Sequence, residues 1–558
     1  MIERVLQAHR PDQWRPLTAA ELKSQRPSHF CAGWRVELPA DSVLIDGVDY
    51  LLVVIDQAFP NSQPRILAPQ AGKDYKWPHI ESYGLLCLKS TRLTSDPGER
   101  VLQHLWWAHE LLNYSEKERR CEFEREFAAY WDHYSSDKKK QPKVFSLLKP
   151  SRLSREVVYI KSRFCDRIIV ADDRGELITW LRNSGINLRD KDILPTWLLN
   201  LPRPPIPDQY PETGRDVLNL LPEQTLKRIL IPGQPCPIFF EVRTPTGPTF
   251  AAVILHGATK SELVKGFRRL DRVPFNRVVA SFNTHRVQRC PVARVDGRWI
   301  HGRDRDQDFP AMRSKSVAII GCGAIGAALA RLLAQSGIGK FLLFDPDDLV
   351  SANIARHILG MRYVGQNKAQ ATAQMLREDF PQLKSVMICD LRFENLNSQI
   401  LEEISQVDLI ISAGIDFDGD ASLDVWRRTL AIPPPHLCTW IEAFAIVGHA
   451  ILIYGNDSLL TGFDDDEQPT FRLTDWPEES NILVVEAGCG NVFQPHGSVD
   501  LQSTIVLAAR LAVDVLLGKV PVSCRRVWQG DLEAVTANGG IARPQFTESR
   551  VVKEAPWL

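Results

Sequence analysis

The stretch KSVAIIGCGAIGAALARLLAQSGIGKFLLFDPDDL, from Lys315 to Leu349, leaves the chain little choice of local fold. An apolar, β-rich run meets Gly321-x-Gly323-x-x-Gly326, an alanine- and leucine-rich helical segment follows, and a second apolar run ends at Asp345. Glycines at this spacing allow a tight turn and let backbone N–H groups approach phosphate at a helix N-terminus. A carboxylate after the second strand can hold ribose hydroxyls. The pattern predicts nucleotide binding and leaves the nucleotide open.

The residues that follow narrow the choice. DPDDLVSANIARHILG supplies Asp345, Asp347, Asn353 and Arg356, and VGQNKAQA supplies Lys368. A glycine loop alone can hold a pyrophosphate, whereas a triphosphate under nucleophilic attack needs further cations to offset developing charge. Arg356 and Lys368 are suited to that task. The run QVDLIISAGIDFDGD ends in Asp416 and Asp418, either of which could hold a magnesium ion.

At 558 residues the chain is too long for one core, and three or four domains are expected. With 67 basic against 68 acidic residues, bulk electrostatics give no reason to expect a nucleic-acid partner. The N-terminus MIERVLQAHRPDQ is charged where a signal peptide is apolar, so a cytoplasmic protein is expected. The low-charge stretch 316–330 is short of the ~20 residues a membrane span needs. None of the eleven cysteines forms a C-x-x-C pair, which argues against a cysteine zinc site or a dithiol redox centre.

The first 135 residues read as helix, strands, then two helices. GWRVEL alternates as a strand, VLIDGVDYLLVVI carries an Asp46-Gly47 hairpin signal, and Val101, Leu102, Leu105 and Trp106 share one expected helical face. Phe123, Phe127 and Trp131 repeat at i+4 on another. Tyr134–Lys143 is polar, basic and proline-containing, the composition of a linker. Between about 150 and 300 the chain is again α/β without a glycine-rich phosphate loop, so no nucleotide chemistry is assigned there.

The 300–535 segment resembles the ubiquitin-activating enzyme superfamily, including the ThiF-type sulfur-carrier adenylyltransferases. The family pattern runs G-x-G-x-x-G, D-x-D, S-N-x-x-R-Q, K-A and a magnesium-binding Asp. Here it is met by Gly321, Gly323, Gly326, Asp345, Asp347, Asn353, Arg356, His357 in place of Gln, Lys368 with Ala369, and Asp416, with Asp418 the alternative. The resemblance implies adenylation of a partner's C-terminal carboxylate by ATP and magnesium. Cys489, before a long amphipathic helix, is placed like the catalytic cysteine of the autophagy activating enzyme; Cys322 and Cys438 read as buried packing.

The N-terminal region resembles the ubiquitin-conjugating fold. AFPNSQPRIL is followed by WPHIESYGLLCL, and Gly84, Cys87 and Leu88 match that family's G-x-x-C-L context. His79 stands where the family has Asn. Three tasks are open to it: donating to the oxyanion of thioester attack, acting as a base, or fixing the loop.

The expected architecture is thus multidomain α/β. It comprises an α+β conjugating-like domain (1–135), a linker (136–150), a central α/β domain like a degenerate adenylation domain (151–300), a Rossmann-like ThiF-type adenylation domain (301–535) and a tail (536–558). A chain so composed resembles the fused conjugation enzymes of CBASS-type anti-phage systems. That resemblance implies a homodimer, a thioester relay from Cys489 to Cys87, and as partner a cGAS-like nucleotidyltransferase C-terminus joined to an amine, usually lysine. A separate ubiquitin-like modifier, a sulfur-carrier adenylyltransferase and a non-catalytic conjugating-like scaffold are the alternatives.

Overall fold

The computed structural model describes residues 1–9, 13–25, 29–38, 47–71, 77–81, 83–133, 142–162, 167–186, 192–477, 482–485 and 492–557. The Asp46 half of the hairpin signal, residues 136–141 of the expected linker and Cys489 lie outside these residues. The chain divides into two compact units. One comprises 1–145, 150–168 and 194–293, and the other 146–149, 169–193 and 294–558.

In the first unit, Trp14–Pro16, Phe30–Glu37, Tyr50–Asp56 and Arg65–Leu67 form a four-stranded sheet in that order, each antiparallel to the next. Helices Ile2–His9 and Pro97–Leu112 pack with it around Leu6, Val36, Leu51, Val53, Ile66 and Val101. The second helix begins where sequence rules place a start: Asp96 accepts from the N–H groups of Gly98 and Glu99, and Pro97 occupies the first turn. Its buried stripe is Val101, His104, Ala108, Leu111 and Leu112. Trp106, expected on that face, is 54% exposed. The i, i+3, i+7 rows starting from Val101 pass through 104, 108 and 111, and residue 106 falls outside them.

Helices Glu116–Arg125 and Phe127–His133 follow, the former started by a capping box between Ser115 and Glu118. The i+4 aromatics Phe123, Phe127 and Trp131 are buried as expected, but the surface they meet is distant in sequence. They join Phe240, Val242, Ala251, Val253 and Phe282 in one core, built on the antiparallel hairpin Cys236–Thr244 and Gly247–Leu255. The Trp131 indole N–H donates to the carbonyls of Ala252 and Cys290. Residues 194–293 therefore support the helices of the N-terminal region within one unit.

The second unit holds an eight-stranded sheet in the order Ser385–Cys389, Lys340–Phe344, Ser316–Ile320, Leu409–Ala413, His436–Ile441, Val447–Ile453, Cys524–Gln529 and Val551–Pro556. The first five strands are parallel and the rest antiparallel. Strand Ser316–Ile320 has its successor on one side and Leu409–Ala413 on the other, so the strand order reverses at it. In an open α/β sheet, that switch point is where a crevice opens at the carboxyl ends of the strands. Helices Gly326–Gln335, Lys368–Asp379 and Ser498–Leu516 contribute to the core of this unit. Among the described residues, no helix is long and apolar enough to cross a membrane.

Candidate functional site

A cavity of about 250 Å³ opens at that switch point. Ile320, Gly321 and Gly323 bring the glycine turn to it; Phe344, Asp345, Asp347 and Lys368 form one side, and Ala413, Gly414, Ile415, Asp416 and Gly419 another. The backbone admits little else at two positions. Gly321 has φ +91°, the left-handed region that favours glycine. A Cβ on Gly326 would lie 1.8 Å from the Gly321 carbonyl oxygen. At Gly323 a Cβ would meet nothing within 4 Å, so the space over the turn is open.

The charged walls are fixed by hydrogen bonds. Asp345 is 5% exposed, and its carboxylate accepts from the N–H groups of Cys322 (2.7 Å) and Asp347 (2.9 Å). Burial pushes this carboxyl up, and the Lys368 ammonium opposes that. Lys368 opens its helix behind the Asn367 cap and pairs with Asp347 at 2.9 Å. The exposed Asp347 carboxylate can be displaced from the ammonium by phosphate oxygens. Asp416 caps helix Phe417–Arg428 through the Gly419 N–H and pairs with Arg392. Burial raises its carboxyl, but Arg392 and the Gly419 N–H outweigh this and hold it below the ordinary value.

Of the two candidate metal ligands, Asp416 lines the cavity, whereas Asp418 is exposed in the first helical turn and is absent from the lining. Asn353 and Arg356 are also not among the lining residues. The Asn353 side chain accepts from the Val350 N–H, and the Arg356 guanidinium donates to the Ala352 carbonyl, so both fold back on their own turn. His357, in place of the expected Gln, is buried. Its Nε2 donates to the Cys322 carbonyl and its Nδ1 accepts from the Leu359 N–H, which fixes the neutral tautomer and pins the glycine turn. Cys322 and Cys438 are buried, and burial pushes both thiols up.

Sequence reasoning missed Leu391, Arg392, Phe393 and Glu394, which follow strand Ser385–Cys389 and complete the cavity. The available signal was positional, since the end of any parallel strand beside the switch point faces the crevice. The lining fits a nucleoside triphosphate. Phe344 and Phe393 would offer apolar surface to a base, Asp345 would hold ribose hydroxyls, and the turn with Lys368 would take the phosphates. Magnesium, held by Asp416, would neutralise charge on the phosphates.

The second candidate centre is Cys87, one of three exposed cysteines among the described residues, with Cys31 and Cys121. Its N–H donates to the His79 carbonyl at 2.8 Å, and Ile80 pairs with Leu86, so residues 79 and 87 are neighbours across a short antiparallel bridge. Gly84 makes the turn, with φ +87° and the Ala68 carbonyl where a Cβ would stand. His79 has φ +59°, and its N–H donates to the Tyr130 hydroxyl at 2.6 Å. Burial pushes the imidazole down, but hydrogen bonds with Cys87 and Glu122 and the charge of Glu126 outweigh it. The ring holds its proton above the ordinary histidine value.

Comparison with known proteins gives two domain matches on this one chain. Residues 304–442 match the ThiF family, and residues 8–140 match Prokaryotic E2 family B. The polypeptide therefore carries a region that matches the ThiF family and another that matches a prokaryotic conjugating-enzyme family.

Among particular proteins, it is 32% identical over 174 residues to the ATP-dependent ubiquitin transferase-like protein Cap2 of Pseudomonas aeruginosa (strain BWHPSA011 / Pa011), covering 30% of each chain. It is 30% identical over 166 residues to ubiquitin-like modifier-activating enzyme 5 of Gallus gallus, covering 27% of this chain and 40% of that one. The chain thus spans only about a third of the length of these relatives. A solved structure of E. coli MccB with ATP aligns at 15% identity and TM-score 0.31, over 44% of this chain and 65% of that one.

Proposed function

We propose that this chain activates the C-terminal carboxylate of a partner protein with ATP and magnesium and passes the acyl group through cysteine thioesters to an amine. The observation that carries this reading is the pairing, on one polypeptide, of a cavity lined by a glycine turn, Lys368 and Asp416 with an exposed cysteine hydrogen-bonded to a histidine. In the first step a carboxylate oxygen attacks the α-phosphorus and pyrophosphate leaves. Lys368 and the glycine turn would hold the phosphates, and Asp416 would hold a magnesium ion, which supplies positive charge to offset theirs. Cys489 then attacks the acyl-adenylate, AMP leaves, and the acyl group moves to Cys87. An amine, lysine in the simplest case, attacks there and releases the thiol.

The substrate carboxylate belongs to a cGAS-like nucleotidyltransferase on this reading, and the chain acts in the cytoplasm as a homodimer in anti-phage defence. A ubiquitin-like modifier is the second reading, favoured by the similarity to ubiquitin-like modifier-activating enzyme 5. The test is a non-reducing gel of the chain expressed with each carboxylate donor and ATP, comparing wild type, Cys87→Ala and Cys489→Ala. A reductant-sensitive adduct that persists in Cys87→Ala and disappears in Cys489→Ala is expected. If pyrophosphate is released with no adduct in any variant, the chain is an adenylyltransferase and the relay is wrong.

A further inference from the structure

Two glutamates that no motif marks reach the Cys87 centre. His79 Nε2 lies 3.1 Å from the Glu122 carboxylate, and Nδ1 lies 3.4 Å from that of Glu126. Both come from the segment around helix Glu116–Arg125, some forty residues further along the chain. The same segment leads to Tyr130, whose hydroxyl holds the His79 backbone. The groups facing the imidazole are thus Cys87, Glu122, Glu126 and Tyr130, with Arg125 paired to Glu122 from behind. His79 and Glu122 are only 14% and 17% exposed in their side chains, whereas Glu126 is 39% exposed.

A histidine that merely fixed a loop would need one partner. This one has a carboxylate at each ring nitrogen, a thiol beside it, and a left-handed backbone conformation held by a tyrosine. Ligand atoms of His79, Glu122 and Glu126 lie within 4.8 Å of one another, a spacing that a metal ion could also use, but Arg125 already supplies Glu122 with a positive partner.

We propose that Cys87, His79 and Glu122 form a proton relay in which Glu122, assisted by Glu126, is the positioning residue for acyl transfer. The inference rests on the reading of Cys87 as the acyl carrier. During transfer the amine nitrogen attacks the thioester carbonyl carbon, the C–N bond forms and the C–S bond breaks. His79 takes the amine proton and delivers it to the departing Cys87 sulfur, which regenerates the thiol. Nδ1, whose contact is the longer and whose partner is the more exposed, is the ring atom that exchanges this proton. Between the two transfers the ring is an imidazolium, and the two carboxylates offset its charge. The relay replaces a neutral amide side chain by a group that moves protons, so the centre gains a pH dependence that an Asn cannot give.

The test separates the relay from the acyl-carrier reading. In the full-length chain, the alkylation rate of Cys87 by iodoacetamide is followed from pH 5.5 to 9.5 by mass spectrometry of its peptide, which distinguishes it from Cys31 and Cys121. Wild type is compared with His79→Gln, Glu122→Gln and Glu122→Gln/Glu126→Gln. His79 beside Cys87 can accept the thiol proton as the sulfur attacks the reagent. The expected result is a wild-type rate at pH 7 about tenfold above that of His79→Gln, with the glutamine variants between them. Superimposable profiles overturn the relay.

In parallel, Cys87 thioester discharge to free lysine is expected to fall about a hundredfold in His79→Gln and about tenfold in Glu122→Gln. In Glu122→Gln its inflection moves to lower pH, because loss of the carboxylate lowers the pH at which the imidazole becomes a base. A rate loss without that shift is a structural effect and counts against the relay. Glu126→Gln, at the exposed carboxylate, gives the same shift in smaller measure with an unchanged melting temperature. If alkylation depends on His79 and Glu122 but wild type forms no thioester, the acyl-carrier reading fails, and only the coupling of Cys87 to His79 and Glu122 stands, without a role in acyl transfer.

Discussion

The glycine-turn cavity and the Cys87 centre are built in opposite ways. The cavity is a backbone structure: a glycine turn that excludes Cβ at residue 326, N–H groups that pin Asp345, and helix starts that present Lys368 and Asp416. The Cys87 centre is a side-chain structure, in which a histidine on one short bridge is completed by Glu122, Glu126 and Tyr130 from elsewhere in the chain. A site of the first kind depends on what a residue lacks. One of the second kind depends on whether a distant element stays docked, and here that element is held by Phe123, Phe127 and Trp131 against residues 199–282.

The comparison can be broken most directly at Gly326. Gly326→Ala forces a methyl against the Gly321 carbonyl, and ATP–pyrophosphate exchange is expected to fall at least a thousandfold, about 4 kcal/mol in barrier. Near-wild-type exchange would show that the turn is not rigid, and the contrast would collapse.

Next is Phe127→Ala, which empties a fully buried site and is expected to cost about 3–4 kcal/mol of stability, read from urea unfolding. The same variant should slow Cys87 discharge at temperatures where the chain is folded while leaving pyrophosphate exchange unchanged. Loss of both activities in step would mean that the two centres do not depend on separate supports.

Asp416→Asn sharpens the assignment inside the cavity. It should lower exchange about a hundredfold and raise the magnesium requirement, whereas Asp418→Asn stays within about threefold of wild type. The reverse ranking would move the metal to the exposed helical turn. The smallest effect belongs to Trp106→Ala, where a 54% exposed side chain should change stability by less than about 0.5 kcal/mol. A cost above about 2 kcal/mol would restore the helical face first read from the sequence.

Much of the cavity was legible because its parts are local. Gly321, Gly323, Asp345, Asp347, Lys368 and Asp416 all line it, each at the end of a strand or the start of a helix, where one short segment settles both conformation and direction. Asn353 and Arg356 belong to the same motif but turn back on their own backbone, an outcome that spacing does not encode. Arg392 carries no motif of its own and acquires its place only when its strand pairs with Lys340–Phe344. At the other centre, Cys87 and His79 were visible through their short spacing, and Glu122, Glu126 and Tyr130 were not.

The sequence by itself determined where the two candidate centres lie. A glycine turn and a cysteine loop are specified by residues within one or two elements, where steric exclusion and hydrogen bonding act over a few bonds of chain. The tertiary structure alone decided which carboxylate lines the cavity, which cysteines are exposed, and that His79 is flanked by two glutamates. Those outcomes depend on long-range packing of buried apolar side chains, which brings together residues whose separation along the chain carries no periodic or local signal.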